Sequence, residues 1–181
     1  MEARREELRR WVTEQHHEQR RKDGEYYPNH LMRVAERAEQ YVKYGYEIGL
    51  CHDLIEDTNW TTKQLWEYLF SIGYDPAEVE PICKAVHHLT EVYSSDNYPW
   101  LNREQRKRLE ADRLFAIEDR DTVTVKYCDL LDNVGAAKNL TADFRKRYLE
   151  EKAHVIDGLD QGNHELYDEV KKALSDAFEL D

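Results

Sequence analysis

Apolar residues recur every three or four positions along most of the chain, which is the spacing of amphipathic α-helices. The clearest case begins near Asn29, where one helical face carries Leu31, Val34, Ala35, Ala38 and Val42. No clear pair of alternating segments indicates two strands. The pattern therefore predicts an all-α fold.

Capping signals divide this pattern into separate helices. Thr61 with Gln64, and Asn102 with Gln105, have the capping-box spacing, and Asp75 precedes a proline at a first helical position. The predicted helices cover about 2–21, 29–45, 46–57, 61–72, 76–88, 102–117, 121–137, a segment from 141, and 163–180. A polar segment, Ser94–Pro99, is predicted as the longest loop.

Length and charge restrict the class of protein. The 181 residues predict one domain over 1–181, and 26 basic against 38 acidic residues give a net charge of −12. Such a chain is not expected to bind nucleic acid or an anionic membrane.

Its apolar runs fall short of the ~20 residues of a membrane span, and Met1–Trp11 has no signal-peptide pattern, so we expect a cytoplasmic protein. Three separated cysteines predict reduced core residues rather than disulfides, namely Cys51, Cys83 and Cys128.

Two histidines and two aspartates are the candidate chemical groups: His30, His52, Asp53 and Asp129. Imidazole nitrogens and carboxylate oxygens together suit Mn²⁺, Fe²⁺ or Zn²⁺, and four such ligands leave positions open for water and a phosphate oxygen. Chance also places histidines beside aspartates in a chain with 8 His and 38 acids, so a surface or helix-capping pair is the alternative. Glu56 and Asp57 favour the metal site, since they share the helical face of Asp53 in a core-forming segment.

Several segments together resemble a known family. The string His52–Thr58, HDLIEDT, is similar to the HDxxEDT signature of the hydrolase domain of RelA/SpoT-homologue proteins, a branch of the HD-domain phosphohydrolases. Arg20–Glu25 and Tyr27–His30 resemble the family's basic loop and first metal-binding histidine. Gln105–Leu109 and Lys126–Asn133 resemble a basic helix and the KLADxLxN segment of the small stand-alone hydrolases. The matches follow the family's order over residues 14–160.

The resemblance implies an HD-domain helical bundle around a central metal, with Mn²⁺ favoured and Fe²⁺ or Zn²⁺ possible. By position it assigns the metal ligands to His30, His52, Asp53 and Asp129. It assigns activation and orientation of the attacking water to Glu56 and Asp57. Expected substrate contacts are Arg21, Lys22, Asn133, Arg106, Lys107 and Arg108, although a solvated helix face is an equal interpretation of the last three.

Some residues depart from the family pattern. Leu31 stands where the family often has proline, and Leu130 and Asp132 replace residues common around the asparagine, which leaves the substrate edge of the pocket open. In 181 residues we expect neither the synthetase nor the regulatory domains of the long RelA/SpoT proteins. Four histidines are interpreted as having no role in the site: His16, His17, His154 and His164.

The leading hypothesis is a metal-dependent nucleotide pyrophosphohydrolase that removes the 3′ diphosphate of (p)ppGpp, as in the stringent response. The alternative is another HD-domain phosphohydrolase, namely a deoxynucleotidase, a dNTP triphosphohydrolase or an NADPH phosphatase. A third hypothesis is a catalytically silent protein that binds a nucleotide or a partner helix. Glu56 and Asp57 argue against it, because a non-enzyme has little need for two acids beside a metal. The expected partner is a small nucleotide, and a homo-oligomer is left open.

Overall fold

A computed structural model describes residues 2–179, and these form helices without a named strand. The all-α class is therefore confirmed for this part of the chain. The chain divides into two compact units, Met1–Thr90 and Glu91–Asp181. The single domain over 1–181 stays a prediction.

Unit 1 is organised around a short central helix, α3. Its helices are α1 Glu2–Gln15, α2 Tyr27–Ala38, α3 Gly45–Cys51, α4 Leu54–Asp57, α5 Thr62–Ser71 and α6 Pro76–Leu89. Helix α3 packs against α1, α2 and α6, and α5 packs against α6. All but one residue of α3 is buried, so its surroundings hold it in place from several sides.

Two glycines allow α2 and α3 to approach closely. A Cβ built on Gly45 would lie 2.2 Å from the carbonyl oxygen of Ala38, and one built on Gly49 would lie 2.8 Å from the Cα of Ala35. Both neighbours are backbone atoms, which cannot rotate away as a side chain can. The backbone segments that carry His30 and His52 are thereby fixed against each other.

Unit 2 is organised around α8, which is buried over most of its length. Its helices are α7 Arg103–Phe115, α8 Arg120–Ala136, a 3₁₀ turn Ala137–Asn139, α9 Ala142–Asp157 and α10 His164–Phe178. Helix α10 packs on α8 and α9, and α7 packs on α9. The hydroxyl of Tyr127 donates to the carbonyl oxygen of Leu159 at 2.6 Å, which ties α8 to the segment before α10.

Several helix ends differ from the prediction, including two that lie near the predicted site residues. Helix α1 ends at Gln15 rather than Arg21, because the following residues turn and form an isolated antiparallel bridge between Arg20 and Tyr26. The helix predicted over 46–57 is interrupted at His52 and Asp53, which lie between α3 and α4. The last helix is described to Phe178, and its predicted end at Leu180 lies outside the described residues.

The three cysteines are buried and free, as predicted. No helix among the described residues is long and apolar enough to cross a membrane.

Candidate metal centre

His52 and Asp53 lie at the break between α3 and α4. His52 still has helical dihedral angles, whereas Asp53 has φ −99° and ψ 0°, in the sparsely populated bridge region where many active-site residues are found. The amide N–H of Asp57 donates to the carbonyl oxygen of Asp53 at 2.9 Å, so α4 starts directly from this residue. Asp53 therefore lies at the junction of the two helices rather than inside one of them.

The ring of His52 is held by a backbone hydrogen bond. It is 2 % exposed, and its Nδ1 lies 2.7 Å from the carbonyl oxygen of Gly49. A carbonyl oxygen only accepts, so Nδ1 carries the hydrogen. In the neutral ring the lone pair is therefore on Nε2, which is the arrangement that metal-binding histidines adopt.

The Nε2 atoms of two histidines converge on one oxygen of Asp53. Oδ2 of Asp53 lies 3.0 Å from Nε2 of His52 and 3.6 Å from Nε2 of His30. His30 is also 2 % exposed, and the two rings are 5.3 Å apart and inclined at 69°. Adjacent ligands on an octahedral ion with bonds of 2.0–2.2 Å lie about 3 Å apart. The spacing of these three side chains fits ligands of one ion.

The same oxygen accepts a hydrogen bond from Tyr27. The phenol hydroxyl donates to Oδ2 of Asp53 at 2.6 Å, and the ring lies edge-on to His30 at 5.5 Å. Tyr27 begins α2 one turn before His30, so a single helix carries both the predicted ligand and a donor to a second one. Hydrogen bonds of this kind orient a ligating carboxylate.

The side chains of His52 and Asp53 are chemically suited to bind a divalent cation. Nε2 of His52 lies 3.0 Å from a carboxylate oxygen, and two acceptors at this distance repel each other unless a proton or a metal ion lies between them. A divalent cation supplies a positive charge and suits both donor types. The residues present therefore fit the predicted metal.

Asp129 occupies the middle of α8 in unit 2. It is 4 % exposed, its Oδ2 lies 2.8 Å from Nζ of Lys126, and its Oδ1 accepts from Nδ2 of Asn133 at 2.5 Å. Asp129 is thus a buried carboxylate in unit 2, and its part in one metal site with the histidines of unit 1 stays a prediction. Asn133, predicted as a sugar contact, also orients a predicted ligand.

The predicted water-activating pair is exposed. Glu56 and Asp57 lie in α4 and are both exposed. Desolvation of the carboxylate and the negative charge of Asp53 raise the pKa of Asp57, and hydrogen bonds from Gln19 and Tyr27 act in the opposite direction. Nε2 of Gln19 donates to Oδ2 of Asp57 at 2.8 Å.

Arg21 and Lys22 lie in a tight loop between α1 and α2. The amide of Gly24 donates to the carbonyl oxygen of Arg21 at 2.9 Å, and Gly24 has φ +89°, a value that side chains disfavour. Glu25 accepts two bonds from Arg33, at 2.6 and 2.8 Å, and these anchor the loop to α2. Lys22 is exposed and Arg21 is half-buried.

The basic residues of α7 have defined neighbours. Arg106 donates to the carbonyl oxygen of Leu101, and Lys107 pairs with Glu91 at 2.8 Å. Arg108 is exposed. Their role as phosphate contacts stays a prediction.

Sequence reasoning missed three residues beside the centre. Tyr27 was noted only as part of a motif, and Gln19 was not singled out. His16, interpreted as having no role, is 1 % exposed and stacks on Tyr27 with ring centroids 5.6 Å apart. The sequence feature that could have identified His16 and Gln19 is their position directly before the basic loop.

No protein-family model matches the chain, and no curated protein matches it.

Proposed function

We propose that the protein is an HD-domain, metal-dependent nucleotide pyrophosphohydrolase that removes the 3′ diphosphate of (p)ppGpp and yields GDP or GTP and pyrophosphate. Support for a metal-dependent reaction comes from one observation above all, the convergence of His30 and His52 on Oδ2 of Asp53. Support for this substrate comes from the HDLIEDT string and the basic loop before it. The reaction adds water across the bond between the 3′ oxygen and the diphosphate.

The proposed ligands are His30, His52, Asp53 and Asp129, with Mn²⁺ as the favoured ion. A bound divalent cation would supply Lewis-acid chemistry at a phosphoryl group. Tyr27 holds the Asp53 carboxylate, and the carbonyl oxygen of Gly49 holds the ring of His52. These contacts fix the donor atoms before substrate binds, which lowers the cost of ordering the site.

The acids of α4 act on the water that attacks phosphorus. Glu56 accepts its proton and Asp57 orients it, since both residues are exposed and lie within about one helical turn after Asp53. Arg21 and Lys22 offset the charge of the phosphates in a protein that is otherwise acidic. Asn133 contacts the sugar, and Arg106, Lys107 and Arg108 contact phosphates of the substrate.

Product analysis tests this proposal. Protein stripped with a chelator is incubated with ppGpp, pppGpp, dNTPs, nucleoside monophosphates, deoxynucleoside monophosphates and NADPH, with and without Mn²⁺, and the products are separated by ion exchange. Asp53→Ala protein purified in parallel controls for contaminating hydrolases. We expect GDP and pyrophosphate from ppGpp only with Mn²⁺ and only with the wild-type protein.

Each other outcome rejects a stated part of the proposal. Turnover restricted to dNTPs, monophosphates or NADPH assigns the metal chemistry to a different nucleotide phosphohydrolase. Absence of turnover with every compound, in protein that binds Mn²⁺, favours the silent binding protein. Equal turnover by Asp53→Ala rejects the site itself.

A further inference from the structure

A buried histidine and a glutamine connect the end of α1 to the acids of α4. Nδ1 of His16 lies 2.6 Å from Oε1 of Gln19, and Nε2 of Gln19 donates to Oδ2 of Asp57 at 2.8 Å. His16 is 1 % exposed, and Gln19 is half-buried. The three side chains form a chain of two hydrogen bonds that ends at one of the proposed reacting acids.

The charge of Asp57 determines the direction of both bonds. A carboxylate only accepts, so the Gln19 amide must present its NH₂ group to Asp57, and its oxygen then faces His16. An amide oxygen also only accepts, so Nδ1 of His16 carries the hydrogen. With the amide reversed, an oxygen would face the carboxylate at 2.8 Å and repel it. One orientation of Gln19 and one tautomer of His16 satisfy the whole chain.

The other ring nitrogen of His16, Nε2, takes no part in this chain of hydrogen bonds. Nε2 is buried and makes no hydrogen bond with a described residue. An unsatisfied buried nitrogen is destabilising, and an apolar ring of similar size would pack against Tyr27 without this cost. Local violations of this kind are typical of functional sites. The bond from Nδ1 to Gln19 is therefore the property that distinguishes histidine at this position.

We propose that His16 and Gln19 are positioning residues that hold the Asp57 carboxylate in its working orientation, an inference that rests on the proposed function. Neither residue touches the reacting atoms. Gln19 holds one carboxylate oxygen, and His16 keeps the Gln19 amide from rotating. Without them the carboxylate of Asp57, at the end of a four-residue helix, loses its bond to Gln19, is held less firmly and orients water less well.

Three variants separate positioning from folding. Gln19→Ala removes the donor to Asp57, His16→Phe keeps a ring against Tyr27 but removes the donor to Gln19, and His16→Asn restores an N–H near the position of Nδ1. The matched control is His17→Asn, since His17 is the exposed neighbour and its contacts are with the carbonyl oxygen of Glu14 at 2.7 Å and the carboxylate of Glu18 at 3.6 Å. We expect kcat to fall about tenfold or more in Gln19→Ala and His16→Phe, because small misplacements of a catalytic group carry costs of this order.

A comparison of kcat, KM, Mn²⁺ affinity and unfolding midpoint across the variants separates the two roles better than kcat alone. KM and Mn²⁺ affinity are expected to stay within about twofold of wild type, since the ligands are untouched, and His16→Asn should recover most of the lost kcat. A purely structural role would instead lower the unfolding midpoint and would not be rescued by asparagine. Unchanged kcat in Gln19→Ala, or equal loss in His17→Asn, overturns the proposal.

An NMR measurement distinguishes failure of this inference from failure of the proposed function. Long-range ¹H–¹⁵N spectra of the wild-type protein should show the hydrogen of His16 on Nδ1, and Gln19→Ala should shift the carboxyl ¹³C resonance of Asp57. The Nε2–H tautomer, or an unchanged Asp57 resonance, rejects the chain of bonds whatever the enzyme does. A correct tautomer in a protein that does not hydrolyse ppGpp rejects the catalytic role together with the proposed function.

Discussion

The ring of His52 and the carbonyl oxygen of Gly49 are joined by a 2.7 Å hydrogen bond that directs Nε2 toward Asp53. Because the donor and acceptor are three residues apart at the end of α3, the local backbone alone sets this tautomer. The carbonyl of Gly49 belongs to a residue whose Cα packs directly against α2. Close helix packing and the orientation of a candidate ligand therefore depend on the same glycine.

Replacement of Gly49 by alanine should damage folding and the metal site together. Its Cβ would lie 2.8 and 2.9 Å from backbone atoms of Ala35, so α2 and α3 must separate. Overpacking of this kind costs about 1–3 kcal/mol of unfolding free energy. Urea denaturation of the metal-free protein measures this loss, and Mn²⁺ titration of the folded variant should show weaker binding.

The matched control is Gly135→Ala. Gly135 lies within α8, is exposed, and has nothing within 4 Å of a built Cβ. Alanine there should stabilise the protein by about 0.5–1 kcal/mol, because alanine favours a helix. Equal destabilisation by both variants would show that Gly49 has no special packing role.

Removal of the Tyr27 hydroxyl should weaken metal binding without unfolding the protein. Tyr27→Phe keeps the ring but deletes the donor at 2.6 Å from Oδ2 of Asp53. Loss of such an outer contact typically reduces metal affinity about 10–100-fold. Isothermal titration with Mn²⁺ measures the change, and Tyr26→Phe, at the neighbouring position, is the control. Wild-type affinity in Tyr27→Phe would contradict the assignment of Asp53 as a ligand held by this phenol.

Structural features that depend on residues close together in the chain were predictable from the sequence. The capping boxes of Thr61 with Gln64 and of Asn102 with Gln105 form as predicted, because each involves residues three positions apart. The HD string names a buried histidine and a half-buried aspartate that are adjacent in the chain, and their role as metal ligands stays a prediction.

Contacts between distant residues were not predictable in this way. Tyr27 and Asp53 are 26 positions apart, and Gln19 and Asp57 are 38 apart. No periodicity or local motif records such pairs. The early end of α1 has the same origin, because the amide of Tyr27 bonds to the carbonyl oxygen of Gln19 across the loop.

Asp53 and Glu56 should differ in the step they affect. Asp53→Ala removes the oxygen on which both histidines converge, so Mn²⁺ binding and turnover should be lost together. Glu56→Ala changes an exposed carboxylate and should keep Mn²⁺ affinity while kcat falls about 100-fold or more, within the range for loss of a general base. Paired Mn²⁺ titrations and initial rates check this split. Glu56→Ala protein that turns over like wild type would reject the water-activation role.

Asp57 should make the stability of the metal-free protein depend on pH. Desolvation and the charge of Asp53 raise its pKa in the folded state, so the folded protein binds this proton more tightly than the unfolded chain. Stability then falls as the pH rises from the unfolded value, near 4, through the raised folded value, and the deficit persists at neutral pH. Asp57→Asn removes the ionisation, so it should be more stable than wild type at pH 7, and this advantage should disappear below about pH 4. Urea midpoints of both proteins across this range measure it, and an advantage of the same size at every pH would mean that the amide stabilises by another route.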